Sequence, residues 1–361
     1  MKRASSKPWS IRTNNDYRPK ISIIVPTYNE SSIILFKLIN LSRVRYPENL
    51  MEVIVVDSNS CDSTIDIVRR FFNENSRVNF KILVEEERKG KSHALNYALN
   101  HCEGDIIIVS DADCFWPSDV LEKAIPFLAD PSVGAISGPK ILLNAGQTWV
   151  TRMEEAYLKS ANVLRLGESK SGSTVFFEGG FSAFKREAFE RFDPYETGSD
   201  DCGTVIHVLE RNFKAILVPE ARFFSMFPAS FCGKLVVKSR RANQLVRVFA
   251  KYLASVGKKG IVVARRIIIP NVILYLFSPL AFTIFLIFSL VLLMHFPLLL
   301  AASALLIVPS VRFYLYEIFE SNFILFAAIF AAIFGKKFSV WGQPEDRTCI
   351  TKDVLIRFNL V

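Results

Sequence analysis

From Ile21 onward, short apolar runs alternate with longer stretches of helical spacing. ISIIVPTY, MEVIVVDS, FKILVEE and GDIIIVSDAD are apolar on consecutive positions and rich in β-branched residues, which predicts buried strands. Between and after them, SSIILFKLINLSRV, CDSTIDIVRRFF, KSHALNYALNHC and PSDVLEKAIPFL carry apolar residues at helical spacing, with Asp62 or Ser63 placed to cap the second helix. Strands and helices in turn, the strands apolar throughout, predict an α/β fold: a mostly parallel sheet with helices on both faces. In such sheets ligands bind beyond the carboxyl ends of the strands.

The pattern changes after residue 270. NVILYLFSPLAFTIFLIFSLVLLM (271–294) is uncharged and long enough to cross a bilayer core. LLLAASALLIVPSV (298–311) and FILFAAIFAAIFGKK (323–337) follow. Three such segments predict a membrane domain over 271–335, and the organisation expected is a basic tail (1–19), an α/β domain (20–232), basic amphipathic interface helices (233–270), the membrane domain and a carboxy-terminal tail (336–361). If all three segments cross, the tail with Lys336 and Lys337 lies outside, against the charge rule.

Charge sharpens this picture. The net charge is +9, yet 221–270 alone holds eleven Lys and Arg, and no Asp or Glu stands between Ala221 and Tyr316. A basic segment suits nucleic acid or anionic lipid. Its position against the apolar run favours lipid, with Leu235, Val236, Leu245, Phe249 and Leu253 expected on the apolar side and no nucleic-acid partner expected. The amino terminus is basic and polar without an apolar h-region, so the α/β part is expected in the cytoplasm, at the inner side of a multi-pass cell-membrane protein. The six cysteines show no metal-type spacing and imply neither a zinc site nor a disulfide framework.

The strand ends carry the chemistry. Pro26-Thr27-Tyr28-Asn29-Glu30, Asp57-Ser58-Asn59-Ser60, Glu85-Glu86-Glu87-Arg88 and Asp111-Ala112-Asp113 converge on one edge. Helix capping accounts for Asp62 or Ser118 but not for three carboxylates, Asp57, Asp111 and Asp113, at one rim. Two like charges as close as Asp111 and Asp113 call for a cation.

VPTYNE, the strand-end Asp57, RKGKSHALNYAL, SDAD and the later Asp200-Asp201 resemble, in order, the motifs of glycosyltransferase family 2, inverting sugar transferases of GT-A fold. The similarity covers roughly residues 20–250, and the basic and apolar segments are similar to the dolichyl-phosphate sugar transferases and the cellulose/hyaluronan synthase branch. The resemblance implies that Asp113, seconded by Asp111, holds Mn²⁺ or Mg²⁺ against the nucleotide diphosphate. It implies that Asp57 accepts from the base while Pro26, Thr27 and Tyr28 line the nucleotide slot, that Glu30 is the acidic position after Asn29, and that Lys91 reaches the nucleotide or its diphosphate. Arg88 and Lys89 are equally readable as solvated. Phe177, Glu178, Gly179 and Gly180 match the segment whose backbone approaches the acceptor, and Asp200-Asp201 the acidic pair at a helix start, with Asp201 the base. His207 is expected to pack inside that helix.

One departure matters. Processive synthases carry Gln-x-x-Arg-Trp; here KSRRANQLVR has Arg241 for the arginine and Ala242 for the tryptophan. That favours single transfer, with GDP-mannose the first donor expected and UDP-glucose the second, to a lipid phosphate such as dolichyl (polyprenyl) phosphate, whose charge Lys238, Arg240 and Arg241 would offset. The alternative is a processive or oligosaccharide-extending synthase using a UDP-sugar. A nucleotide-binding module without catalysis would be expected to have lost Asp113 or Asp201.

Overall fold

The four apolar runs form strands β1 (Ile21–Thr27), β2 (Met51–Asp57), β3 (Asn79–Val84) and β4 (Ile106–Val109). They pair in parallel in the order β3-β2-β1-β4, with Thr27 opposite Asp57, so their polar carboxyl ends share one rim. This computed structural model describes residues 2–75, 79–258, 261, 264–296, 307–336 and 350–361. A short α1 (Lys2–Ser5) precedes β1, and α2 (Ile34–Ser42), α3 (Thr64–Glu74), α4 (Lys91–Leu99) and α5 (Val120–Ala124) follow the strands in turn.

Next come β5 (Val133–Ser137), β6 (Lys140–Leu142), α6 (Trp149–Lys170), β7 (Ser182–Lys185), α7 (Cys202–Glu210), β8 (Lys214–Leu217) and β9 (Phe223–Ser225). The main sheet has seven strands in the order β3-β2-β1-β4-β7-β5-β8, with β7 antiparallel to both neighbours. A separate parallel pair, β6 and β9, stands beside the rim. Successive side chains point to opposite faces of a strand. Ile24, Ile54, Val56, Ile107 and Val109 therefore enter a core with α4 and α7, while Ile23, Val25, Val53, Val55 and Ile108 enter a second core with α2 and α3. Both faces are covered, as the unbroken apolar runs require.

The basic segment differs from its expectation. It forms α8 (Phe231–Ser255) and α9 (Arg265–Val272), and Val248, Phe249, Tyr252, Ile267, Ile268 and Val272 join the same core as α4 and α7. Phe249, expected on a lipid-facing side, is fully buried in protein, whereas Val236 and Leu253 are 65% and 48% exposed. The cations are largely spent internally: Lys234 and Lys238 pair with Glu317 and Glu320, Lys258 with Glu210, and Arg241 with Glu154. Arg247 and Arg265 donate to backbone carbonyls, and Lys251 lies over the Tyr195 ring. The charge excess belongs to the assembly of the domain as much as to its surface.

From α9 the chain continues through a π-helical turn, Ile273–Phe277, into α10 (Ser278–His295). Pro270 has no N–H to close the preceding turn, a common cause of such bulges. The stretch Arg265–His295 and the later Tyr314–Ile333, within α11 (Pro309–Ile333), are long and apolar enough to cross a membrane. Only 6% and 17% of their most apolar windows is buried. Of the second apolar run, residues 298–306 lie outside the described residues, as does Cys349. The tail returns: α12 (Lys352–Arg357) sets Leu355 and Leu360 against Ile33, Phe115 and Phe224 of the α/β domain, and the Leu360 carbonyl accepts from Asn40 at 2.7 Å.

Candidate active site

The rim opens into a cleft of about 970 Å³. Pro26, Thr27, Tyr28, Glu30, Ser58, Arg88 and Lys91 line one end; Arg240, Arg241, Leu274, Tyr314 and Leu325 line the other; Asp111, Asp113, Asp200 and Asp201 lie between. The nucleotide end is stitched loop to loop. Asn29 and Asn59 both adopt left-handed backbone (φ 53° and 60°), which asparagine tolerates better than most residues. The Asn29 N–H donates to Ser60 Oγ at 2.8 Å, the Glu30 N–H to Thr64 Oγ1 at 2.8 Å, and the Cys61 N–H to Asn29 Oδ1 at 2.8 Å. Asp62 caps α3 by accepting from the Thr64 N–H. Arg88 is half-buried, its guanidinium 3.6 Å from the Tyr28 ring centre.

Asp57, at the end of β2, is not among the residues that line the cleft. It is 1% exposed and accepts from Thr27 Oγ1, the Ser60 N–H and Ser60 Oγ at 3.1, 2.8 and 2.6 Å. A carboxylate has about four lone-pair sites, and three of those on Asp57 are taken by its own loops.

One cation stands beside Asp111 already, the side chain of Lys91. Its ammonium stands 2.6 Å from Asp111 Oδ1 and 2.8 Å from Asp200 Oδ2. Burial alone would lower its pKa, but Asp111, Asp200 and Asp201 carry it above the ordinary lysine value. Asp200 is pushed up to about 6, first by burial and then by Asp201 and Asp111, against the opposing pull of Lys91. Asp201 has a second task. It caps α7, accepting from the Cys202 N–H at 2.6 Å and from Ser199 Oγ at 2.5 Å. The structure thus divides the acidic pair: Asp200 is tied to Lys91, and Asp201 to its own helix.

Ligand atoms of Asp111, Asp113 and Cys114 come within 4.8 Å of one another. Burial, then Asp113 and Asp111, hold the Cys114 thiol well above its usual pKa, so it stays protonated and is no ligand for a hard cation. The two carboxylates remain, and their oxygens suit Mn²⁺ or Mg²⁺.

Two buried polar residues that sequence reasoning missed hold this loop from behind. Lys37 Nζ donates to Ser110 Oγ and to the Cys114 carbonyl, both at 2.5 Å. Asn40 accepts from the Trp116 N–H and donates to the Trp116 carbonyl, each at 2.8 Å. Burial pushes the Lys37 ammonium down to about 8. The available signal was a lysine and an asparagine three apart on the apolar face of α2. Trp116 in turn donates from Nε1 to the Gly180 carbonyl at 2.7 Å, joining the aspartate loop to the Phe177–Gly180 segment.

The backbone of that segment does run close to its surroundings, at Lys91, Asp111 and Phe223. A Cβ on Gly179 would lie 2.6 Å from Lys91 Nζ, and one on Gly180 2.1 Å from the Phe223 ring. The Phe177 ring packs against Phe184 in the core. Glu178 is bound to Arg165 of α6, whose charge, after the opposing effect of burial, holds the carboxyl below its usual value. Lys238, expected near an acceptor, is taken by Glu317 and Glu320 at 3.5 and 3.1 Å. Arg240 and Arg241 remain on the cleft wall. Ala242 packs with Val246, Ile324 and Ala328, so α11 fills the space a tryptophan would need. His207 is half-buried within α7 beside Tyr195, in keeping with a packing role.

A parallel sheet whose strand ends bring a nucleotide slot to paired aspartates, followed by an acidic helix start, defines a glycosyltransferase of GT-A fold. The family model for glycosyl transferase family 2 matches residues 22–192. The mannosyltransferase PcManGT from Pyrobaculum calidifontis, in complex with GDP-Man and Mn²⁺, is 33% identical, with 93% of each chain covered and a TM-score of 0.79. The chain belongs to glycosyl transferase family 2. An N-acetylglucosaminyltransferase of Rhizobium meliloti (strain 1021) is 29% identical over 241 residues, covering 63% of this chain and 56% of that protein. A beta-monoglucosyldiacylglycerol synthase of Trichormus variabilis is 33% identical over 138 residues, 38% of this chain and 30% of that protein. The chain spans about half the length of the first curated relatives it matches.

Proposed function

We propose that this glycosyltransferase moves a single sugar from a nucleotide-sugar, GDP-mannose first and UDP-glucose second, to a lipid phosphate at a membrane surface. The carrying observation is the single cleft: it begins at the Tyr28–Arg88 stack, passes Asp111 and Asp113, and ends among Leu274, Tyr314 and Leu325 of the two long apolar helices. The GDP-Man and Mn²⁺ held by the Pyrobaculum neighbour support the choice of donor and ion.

In this reading Asp111 and Asp113 would hold a divalent ion, whose charge would offset that of the diphosphate leaving group. Lys91 bridges Asp111 and Asp200 and keeps that cluster of acids ionised around the sugar. Asp57 and the Tyr28–Arg88 stack orient the base. Asp201, fixed by its capping bonds, positions the acceptor and takes a proton where the acceptor brings one. A lipid phosphate monoester has a second pKa of about 6 and arrives largely without that proton. Inversion follows from one displacement on the sugar.

Membrane insertion belongs to the same proposal. Because α12 docks on the catalytic domain, the chain must cross an even number of times, which Arg265–His295 and Tyr314–Ile333 satisfy as a hairpin. The catalytic domain and the tail then share the cytoplasmic side. Incubation with labelled GDP-mannose, UDP-glucose and UDP-N-acetylglucosamine, each with polyprenyl phosphate, should place label from one of them in the organic phase. Label that reaches only lipid-linked saccharides would replace this reading with the extending alternative. One observation favours that alternative: Glu154 Oε2 is buried in the cleft wall without a hydrogen-bond partner among the described residues, a free acceptor for a sugar hydroxyl.

A further inference from the structure

Lys140 stands apart from the other cations of the cleft. It lies on β6, is 7% exposed, lines the cleft, and its side chain makes no hydrogen bond or ion pair among the described residues; its recorded contact is the Phe227 ring, 5.8 Å from Nζ. The other basic groups named in the cleft are engaged: Lys91 with Asp111 and Asp200, Arg165 with Glu178, Arg241 with Glu154 at 3.8 Å, Lys238 with Glu317 and Glu320. Burying an ammonium without a direct ion pair is unfavourable and persists where a ligand or a function offsets it. Burial, then the repulsion of Arg241, lowers its proton affinity, while Glu178 and Asp113 restore part of it. An incoming anion would meet a cation already stripped of water.

Position selects which anion. The nucleotide slot is built on β1, β2, β3 and α4, on one side of β4. Lys140 stands on the other side, where β6 pairs with β9 and the cleft turns toward Arg241 and the apolar helices. A phosphate there lies between the metal-binding aspartates and the lipid-facing end. We propose that Lys140, with Arg241 beside it, holds the phosphate of the acceptor lipid.

The assignment rests on the lipid-phosphate reading above and names the residue that recognises it. In the transfer, an acceptor phosphate oxygen forms the new bond to the anomeric carbon, the bond from that carbon to the diphosphate oxygen breaks, and its electron pair leaves with the nucleoside diphosphate. Lys140 forms no covalent bond and gives up no proton; it fixes the nucleophile and offsets the repulsion from Glu154, Asp200 and Asp201.

Binding to the full chain in detergent micelles tests this without catalysis. Farnesyl phosphate should bind at least tenfold tighter than farnesol. Lys140→Met should abolish that preference, Lys140→Arg should keep most of it, and affinity for GDP or UDP with Mn²⁺ should change less than twofold in both. Melting curves verify folding, with Lys140→Gln replacing the methionine variant if that one melts early. A tenfold loss of nucleotide affinity in Lys140→Met, with farnesyl phosphate unaffected, would assign Lys140 to the leaving group and overturn the proposal. A preference for phosphate that survives Lys140→Met would overturn it equally. Lys140-dependent binding without sugar transfer from any nucleotide-sugar would sink the proposed function while leaving the phosphate site standing.

Discussion

The two ends of the cleft are built differently. The nucleotide end is held by short-range bonds between neighbouring strand ends, such as Asn29 to Ser60 and Cys61, and Asp57 to Ser60. The other end is held by ion pairs across elements about eighty residues or more apart: Arg241 to Glu154, and Lys234 and Lys238 to Glu317 and Glu320. The first is a rigid rim whose parts are motifs. The second is a set of charges that largely neutralise one another, beside the Lys140 side chain, which has no ion pair among the described residues. If the proposed function holds, nucleotide binding depends on local geometry and acceptor binding on how α6, α8 and α11 meet.

The largest effect expected is on the rim. Asp113→Ala should lower kcat/KM by about 10³-fold, as loss of a charge-stabilising group does, and EDTA should abolish transfer until Mn²⁺ or Mg²⁺ is restored. Full activity in EDTA would break the comparison at its centre. Lys234→Met should act on the other end only. It leaves Glu317 and Glu320 to share Lys238 and should cost about 3 kcal/mol of stability, read as a fall in Tm of several degrees, with nucleotide affinity intact. A variant that melts normally but binds nucleotide poorly would show that the ends are not separable.

Ala242→Trp restores the synthase-type residue but meets Ile324 and Ala328 of α11. It should cost about 2 kcal/mol by overpacking and should not yield polymer on product gels. Asp201→Asn is the smallest change. Asparagine caps a helix as well as aspartate, so Tm should hold, and with a phosphate acceptor kcat should fall only about tenfold. Complete inactivation at unchanged Tm would shift the acceptor from phosphate to hydroxyl.

The sequence by itself determined the parallel sheet, the rim and the paired aspartates, because strand burial and the polar residues that end a strand are local properties. It also marked the tryptophan-to-alanine departure and both long apolar helices. It did not reveal α6, although Thr148 and Thr151 form a reciprocal capping pair at its start, because polar residues interrupt the apolar spacing along TRMEEAYLKSANVLRL, where Leu158 joins a small core while Glu154 and Arg165 hold ion pairs. The basic segment was misread for a related reason. Net charge counts cations but not their partners, and Glu317 and Glu320 lie some eighty residues from the lysines they neutralise. Lys37, Asn40 and Lys140 look like ordinary surface residues until folding buries them. Only the tertiary structure brings the tail back onto Phe115 and Phe224. Local pattern decides which elements form; the pairing of charges depends on distances in space, and those exist only once the chain has folded.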